Sequence, residues 1–173
     1  ILVGSAFYLF LITIRDFLKK KKQNFSQNLS HFGFSLFILS VLLNNIFSNE
    51  IIINLKVGET FKNDKLQIKF EELKKYEETN YISFKGYFSI KENKLKDKLE
   101  PELRVYNQPN IVTSEADIKT TFLTDKFITM NTVQNEEYFN IRYQVKPFML
   151  WIWISVLIIS LGGIISLLKK KSI

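Results

Sequence analysis

Residues 146–171 read KPFMLWIWISVLIISLGGIISLLKKK, and this stretch decides the class of fold. Positions 147–168 are 22 consecutive residues without a charge. At about 1.5 Å rise per residue, a helix of that length matches a bilayer's hydrocarbon core of about 30 Å. The run is therefore predicted to cross a membrane, with Lys146 at one end and Lys169, Lys170 and Lys171 at the other. Basic residues beside a spanning helix stay on the side from which the chain was inserted, so the C-terminal lysines are predicted to face the cytoplasm or the mitochondrial matrix.

Working outward from that span, residues 29–47 form a second apolar run of 19 residues, uncharged apart from a proton on His31, with Asn44 and Asn45 near its outer end. Residues 1–14 are apolar but short for a crossing. The chain begins without Met, and these residues are read as the end of a spanning helix. A signal peptide carries its positive residues before its apolar core, whereas here Arg15 and the lysines at 19–22 follow it. The predicted organisation is a helix end (1–14), a basic inner loop (15–28), a transmembrane helix (29–47), an external domain (48–146), a transmembrane helix (147–168) and a basic inner tail (169–173).

The charges support this path. Residues 49–146 carry 16 Lys/Arg against 16 Asp/Glu, so the net charge of +7 resides in the flanks, next to the apolar runs. Basic clusters also serve nucleic-acid binding, but a domain with no net charge has little to hold phosphates with, and a nucleic-acid partner is set aside. There is no cysteine, which excludes disulfides, thiolate metal sites and a cysteine nucleophile.

Between 48 and 146 the continuous runs give way to short alternating pieces. Residues 51–57, 66–70, 81–90, 103–106, 127–133 and 138–145 mix β-branched and aromatic residues with polar ones at every second position. Gly58, Asn63 with Asp64, and residues 91–98, 107–110 and 134–137 supply the breaks. The predicted fold class is a membrane α-helical protein with an inserted all-β external domain, a small antiparallel sandwich or partly open barrel. The charged segment 91–100 is read as a solvated hairpin tip, and Glu71, Glu72, Glu77 and Glu78 as solvated carboxylates rather than an acid–base pair. No phosphate loop, catalytic triad or histidine pair at metal-ligand spacing occurs.

His31 is the single histidine, in Leu29-Ser30-His31-Phe32-Gly33-Phe34-Ser35. Ionisable residues within spans face a protein interior, a cofactor or a water path, or sit at the interface among headgroups, and position alone leaves both readings open. Imidazole is a common axial ligand of haem iron. Gly33 would clear space nearby, and Ser35, one turn on, would bond to a haem propionate or to a neighbouring helix. Pro147 ends the preceding strand and suits the first turn of a helix. Lys146, Trp151 and Trp153 suit anchoring in membrane lipid at the outer interface, and Gly162 with Gly163 would let another helix approach. Arg104, Tyr106 and Glu115 are read either as a partner contact or as a buried structural network.

Taken in order, Ser30-His31-Phe32-Gly33, Arg104-Val105-Tyr106-Asn107, Ser114-Glu115-Ala116, Lys146-Pro147-Phe148, Trp151-Ile152-Trp153 and Leu161-Gly162-Gly163 resemble the C-terminal part of CcmF-type cytochrome c haem lyases. Ser114 stands where that family usually has Thr, which keeps the hydroxyl. The resemblance implies that His31 is an axial ligand of a b-type haem within the membrane, with the second ligand and the tryptophan-rich haem-binding segment lying upstream or on another chain. It implies as partners the upstream portion of the lyase, other cytochrome c maturation subunits, a haem chaperone and apocytochrome c. On this reading the chain is part of an enzyme, inactive alone. It resides in a bacterial inner membrane with a periplasmic domain, or a mitochondrial one with an intermembrane-space domain. The rival reading is a membrane-anchored, non-enzymatic docking module with His31 as an interfacial residue.

Overall fold

The computed structural model describes residues 2–19, 25–92, 95–133 and 137–170; the predicted inner lysines at 20–22 and 171 lie outside them. The chain forms two compact units, one of Ile1–Ser48, Thr120–Asp125 and Lys146–Ile173, the other of Asn49–Lys119 and Lys126–Val145.

The first unit holds three helices, α1 (Leu2–Leu18), α2 (Phe25–Phe47) and α3 (Met149–Lys170). α2 and α3 are long and apolar enough to cross a membrane, and α1 has 17 residues. α2 begins four residues ahead of the apolar run that starts at Leu29, and packs on both other helices. In lipid the hydrophobic effect does not drive helices together, so close packing and small residues must do so. Against α3, a Cβ on Gly33 would come within 2.9 Å of Ile159 and 3.0 Å of Ile158, and a Cβ on Gly162 would overlap Ser30 Oγ. Gly33 therefore admits α3 and does not clear space beside His31. Gly163 has nothing within 4 Å of its Cβ position, so Gly162 alone carries the close approach foreseen for the pair.

Against α1, Ser35 is buried and shares a 2.6 Å hydrogen bond with Thr13, while its hydroxyl also reaches the Phe32 carbonyl. Of the two roles open to Ser35, the structure supplies the neighbouring helix. Phe10 and Phe17 close on Phe32 at ring distances of 5.7 and 5.9 Å.

The second unit is a sandwich of two sheets with order β1-β10-β9-β8 and β2-β3-β4-β6-β7, with β5 paired to β4. The strands are β1 (Asn49–Leu55), β2 (Thr60–Lys62), β3 (Leu66–Glu77), β4 (Tyr81–Glu92), β5 (Leu95–Leu99), β6 (Glu102–Tyr106), β7 (Ile111–Glu115), β8 (Asp117–Thr120), β9 (Thr124–Thr132) and β10 (Phe139–Pro147). Alternation locates β1, β3, β4, β6, β9 and β10, and misses the short β2, β7 and β8. β5 corrects the reading of residues 91–100 as a solvated tip. Leu99 and Asp97 face inward from it and are buried, because β5 pairs with β4 from Phe88↔Leu99 to Glu92↔Leu95.

The core lies between the sheets, with Ile68, Phe70, Phe88, Ile90, Ile128, Met130 and Ile141 each at most 1% exposed. Full burial of such a side chain contributes roughly 1.5–3 kcal/mol. Phe70 stacks on Phe88 at 4.4 Å and meets Phe139 edge-on at 5.6 Å, locking the sheets together. A register shift between Phe70 and Glu72 turns the strand by one residue, so that Leu73 packs against the core after Phe70. The Ser114 hydroxyl on β7 donates to the Met130 carbonyl on β9 at 2.8 Å and joins the edge of one sheet to the other.

Pro147 ends the preceding strand as expected, as the last residue of β10, but stands ahead of α3 and not in its first turn. Phe148 makes the turn with φ 60° before α3 begins at Met149. Asn44 Nδ2 caps the junction by donating to the Pro147 carbonyl at 2.6 Å.

Candidate functional site

His31 lies nearly two turns into α2, on an exposed stripe that also carries Gln27 and Phe34 at i−4 and i+3. Its ring lines a cleft of about 300 Å³ between α1 and α2 together with Leu9, Thr13, Asp16, Asn28 and Phe34. The Gln27 Nε2 atom is 3.4 Å from His31 Nε2, a long contact that holds the ring weakly. Asn28 donates to the Asp16 carbonyl at 3.3 Å and ties the ends of α1 and α2 across the mouth of this cleft. His31 is exposed, and Leu9 and Phe34 supply apolar surface beside the polar Thr13, Asp16 and Asn28, so it is the residue of this cleft whose imidazole could ligate a haem iron. Among the described residues no group of three or more His, Cys, Asp or Glu side chains is placed to hold a metal ion.

In the β unit, Arg104 and Tyr106 project from the outer face of the six-stranded sheet. Arg104 Nε donates to Glu102 at 3.1 Å, its guanidinium sits 5.2 Å from the Tyr81 ring, and the Tyr81 and Tyr106 rings are 5.2 Å apart. Glu102 also accepts from Ser83 at 3.2 Å and pairs with Lys85 at 3.2 Å. Partial burial raises the Glu102 pKa, but Arg104 and Lys85 outweigh it and hold the carboxyl below its ordinary value. Arg104 is raised by its hydrogen bonds to Glu102 and then Tyr106. Glu115 sits one strand over, opposite Glu102 in the register, and accepts from Thr113 at 3.1 Å. The structure thus gathers Arg104 and Tyr106 into a half-buried network centred on Glu102 and leaves Glu115 at its margin.

The Trp151 indole donates to the Phe122 carbonyl at 3.0 Å, and Trp153 is exposed. Lys146 lies at the end of β10. Glu71 and Glu78 are exposed, and Glu72 and Glu77 pair with Lys74 and Lys75, consistent with solvated charge.

Sequence reasoning missed an inward-facing charge cluster at one end of the sandwich. Lys126, 8% exposed, pairs with Glu92 at 2.8 Å and Asp97 at 2.9 Å, and Lys119 reaches Asp97 at 2.6 Å. Burial pushes the nearby Tyr143 phenol up to about 12. The Tyr143 hydroxyl, without a hydrogen-bond partner among the described residues, borders a cleft of about 330 Å³ with Asn49, Leu66 and Glu92. No local signal marks this cluster, since its members lie on four different strands.

A family model described as CcmF C-terminal beta-sandwich matches residues 46–147. The chain is 26% identical over 175 residues to the cytochrome c-type biogenesis protein CcmF of Pseudomonas aeruginosa, covering 93% of this chain and 27% of that protein. It is 25% identical over 154 residues to the protein of the same name from Haemophilus influenzae, covering 88% and 24%. A solved structure, cytochrome c heme lyase CcmF, superposes with a TM-score of 0.66 at 15% identity over 90% of this chain and 27% of that one, a likeness of fold. The chain spans about a quarter of the length of these relatives.

Proposed function

The chain belongs to the CcmF C-terminal β-sandwich family, and from that premise we propose that it is the C-terminal portion of a cytochrome c haem lyase. In this role His31 supplies one axial ligand of a b-type haem in the membrane. The observation that carries the assignment is an imidazole open on the side of a span-length helix, lining a cleft in which Leu9 and Phe34 supply apolar surface beside the polar Thr13, Asp16 and Asn28. The haem, when bound, supplies electron transfer that keeps the iron of the transferred haem reduced while two thioether bonds form on apocytochrome c.

The chain's own residues hold and orient. α2 sets the depth of His31, Leu9 and Phe34 limit water on one side of it, and Gln27 releases the ring if Nε2 is the ligating atom. His31 is the only histidine in the sequence, so a second histidine ligand comes from an upstream portion or another polypeptide, and the chain is not active alone. Lys146, Trp151 and Trp153 anchor the outer membrane boundary. The outward face with Arg104, Tyr106 and Glu115 meets apocytochrome c, the haem chaperone or other maturation subunits. The β unit then lies in the periplasm or the intermembrane space.

The test is a reduced-minus-oxidised absorption spectrum of the detergent-solubilised complex, wild type against His31→Ala. Loss or marked shift of the b-type signal at unchanged protein level is expected. An unchanged spectrum overturns the ligand assignment and leaves a membrane-anchored docking module.

A further inference from the structure

The turn between β8 and β9 leaves the sandwich: Thr120–Asp125 group with the helices. Its backbone is closed on itself. Thr121 N and Thr121 Oγ1 both donate to the Thr124 carbonyl, at 2.9 and 2.7 Å, and Thr124 N donates to Thr121 Oγ1 at 3.1 Å. It is also fixed to the head of α3. Phe148 N donates to the Leu123 carbonyl at 2.7 Å, Trp151 Nε1 donates to the Phe122 carbonyl, and the Phe122 ring meets the Trp151 ring edge-on at 4.9 Å. Phe148 makes its bond from a left-handed backbone conformation that bulky residues rarely adopt.

Despite these ties, Phe122 is 65% and Leu123 53% exposed. The tip, residues 120–124, carries no charge, while Lys119 and Asp125 frame it. Water is a poor surrounding for such a pair, and a bilayer boundary a good one. Three features identify that boundary as the occupant. Trp151 lies in the first turn of an apolar helix long enough to cross a membrane, where indole rings favour the headgroup level. The turn is bonded to that same indole and so shares its depth. Its carbonyls at Phe122, Leu123 and Thr124 already accept hydrogen bonds, which removes much of the cost of bringing backbone toward lipid.

We propose that the β8–β9 turn is a second, non-helical membrane contact, in which Phe122 and Leu123 enter the boundary between headgroups and acyl chains beside the head of α3. The proposal rests on the reading of α3 as a membrane span.

The chain has no cysteine, so Phe122→Cys places one thiol on it for a nitrobenzoxadiazole label. The complete protein, reconstituted in phosphatidylcholine–phosphatidylglycerol vesicles, is read against the same protein without the added thiol. The expected result is blue-shifted emission, quenched at least twofold more by lipids bearing a shallow nitroxide than by aqueous iodide. Stronger quenching by iodide overturns the proposal by placing the turn in water, and protection from both quenchers overturns it by placing the turn under protein. Leu123→Cys repeats the measurement if the first variant does not assemble. Alkaline extraction of the same vesicles separates the two readings: a chain retained in the membrane with a water-exposed label sinks the turn alone, and an extracted chain sinks both.

Discussion

At Gly162 the difference between a hydrogen and a methyl group decides whether α2 and α3 meet. A Cβ there would overlap Ser30 Oγ and stand 2.9 Å from both the Ser26 carbonyl and Ser30 N, backbone atoms that cannot swing aside. Gly163→Ala meets nothing within 4 Å. Gly162→Ala is therefore expected to lower stability by about 1–3 kcal/mol, the usual cost of overpacking, and Gly163→Ala to change it by less than about 0.5 kcal/mol. Thermal midpoints of the solubilised protein check this, and equal shifts for the two variants would contradict the packing argument. His31 was legible in the sequence because an ionisable side chain inside an apolar helix stands out by chemistry alone. Gly33 was misread for a geometric reason. At about 3.6 residues per turn it points about 200° away from His31, so the space it leaves belongs to α3, a helix more than a hundred residues further along the chain.

Among the strands, β5 shows how a buried charge hides an element. Leu95-Lys96-Asp97-Lys98-Leu99 has period 2, yet an aspartate occupies an inward position, so the stretch reads as solvent-facing. Its partners Lys119 and Lys126 come 22 and 29 residues later, and their proximity exists only once β8 and β9 are folded. β2 and β8 escaped for a plainer reason, since three or four residues give too few periods to distinguish a strand from a turn, and β7, Ile111-Val112-Thr113-Ser114-Glu115, sets its two apolar residues side by side instead of alternating them. The ion cluster makes the sandwich acid-sensitive. The hydrogen bond from Lys119 lowers the Asp97 pKa, partial burial opposes it, and the bond from Lys126 adds to the lowering. A depressed carboxylate contributes stability that is fully present above its unfolded value of about 3.9 and lost as pH falls through the lower folded value. Denaturant midpoints of the wild type should therefore drop below about pH 4. Asp97→Asn should be less stable at neutral pH by about 1–3 kcal/mol, the worth of a lost charge-assisted bond, and its midpoint should fall less over the acid range. Parallel curves for the two proteins would remove Asp97 as a source of the acid response.

For the whole molecule, the partition of charge was the most readable feature: a neutral stretch between basic, apolar flanks separates a sandwich from helices. The one segment that breaks the partition, Thr120–Asp125, was unreadable, because two apolar residues between threonines make neither a run nor an alternation. Connectivity suggests that the sandwich is a self-sufficient insertion. The chain enters it one residue after α2 ends, and the first and last residues of the unit pair with each other, Asn49↔Val145, so both ends are held by the sheet. Its core draws on both sheets without any residue of the helices. Residues 49–146 made alone should then unfold in one cooperative transition, with a stability in the ordinary range of about 5–15 kcal/mol. Excision removes Trp151 and Phe148 from the β8–β9 turn, leaving Phe122 and Leu123 as an uncovered apolar tip. The fragment is expected to self-associate, and Phe122→Ser with Leu123→Ser to return it to a monomer with the same unfolding transition. Sedimentation velocity and far-ultraviolet dichroism on the two fragments decide the matter. A monomeric but non-cooperative fragment would mean that the sandwich depends on the helices for its fold, and a parent fragment that stays monomeric would mean that the turn is not the adhesive surface its exposure indicates.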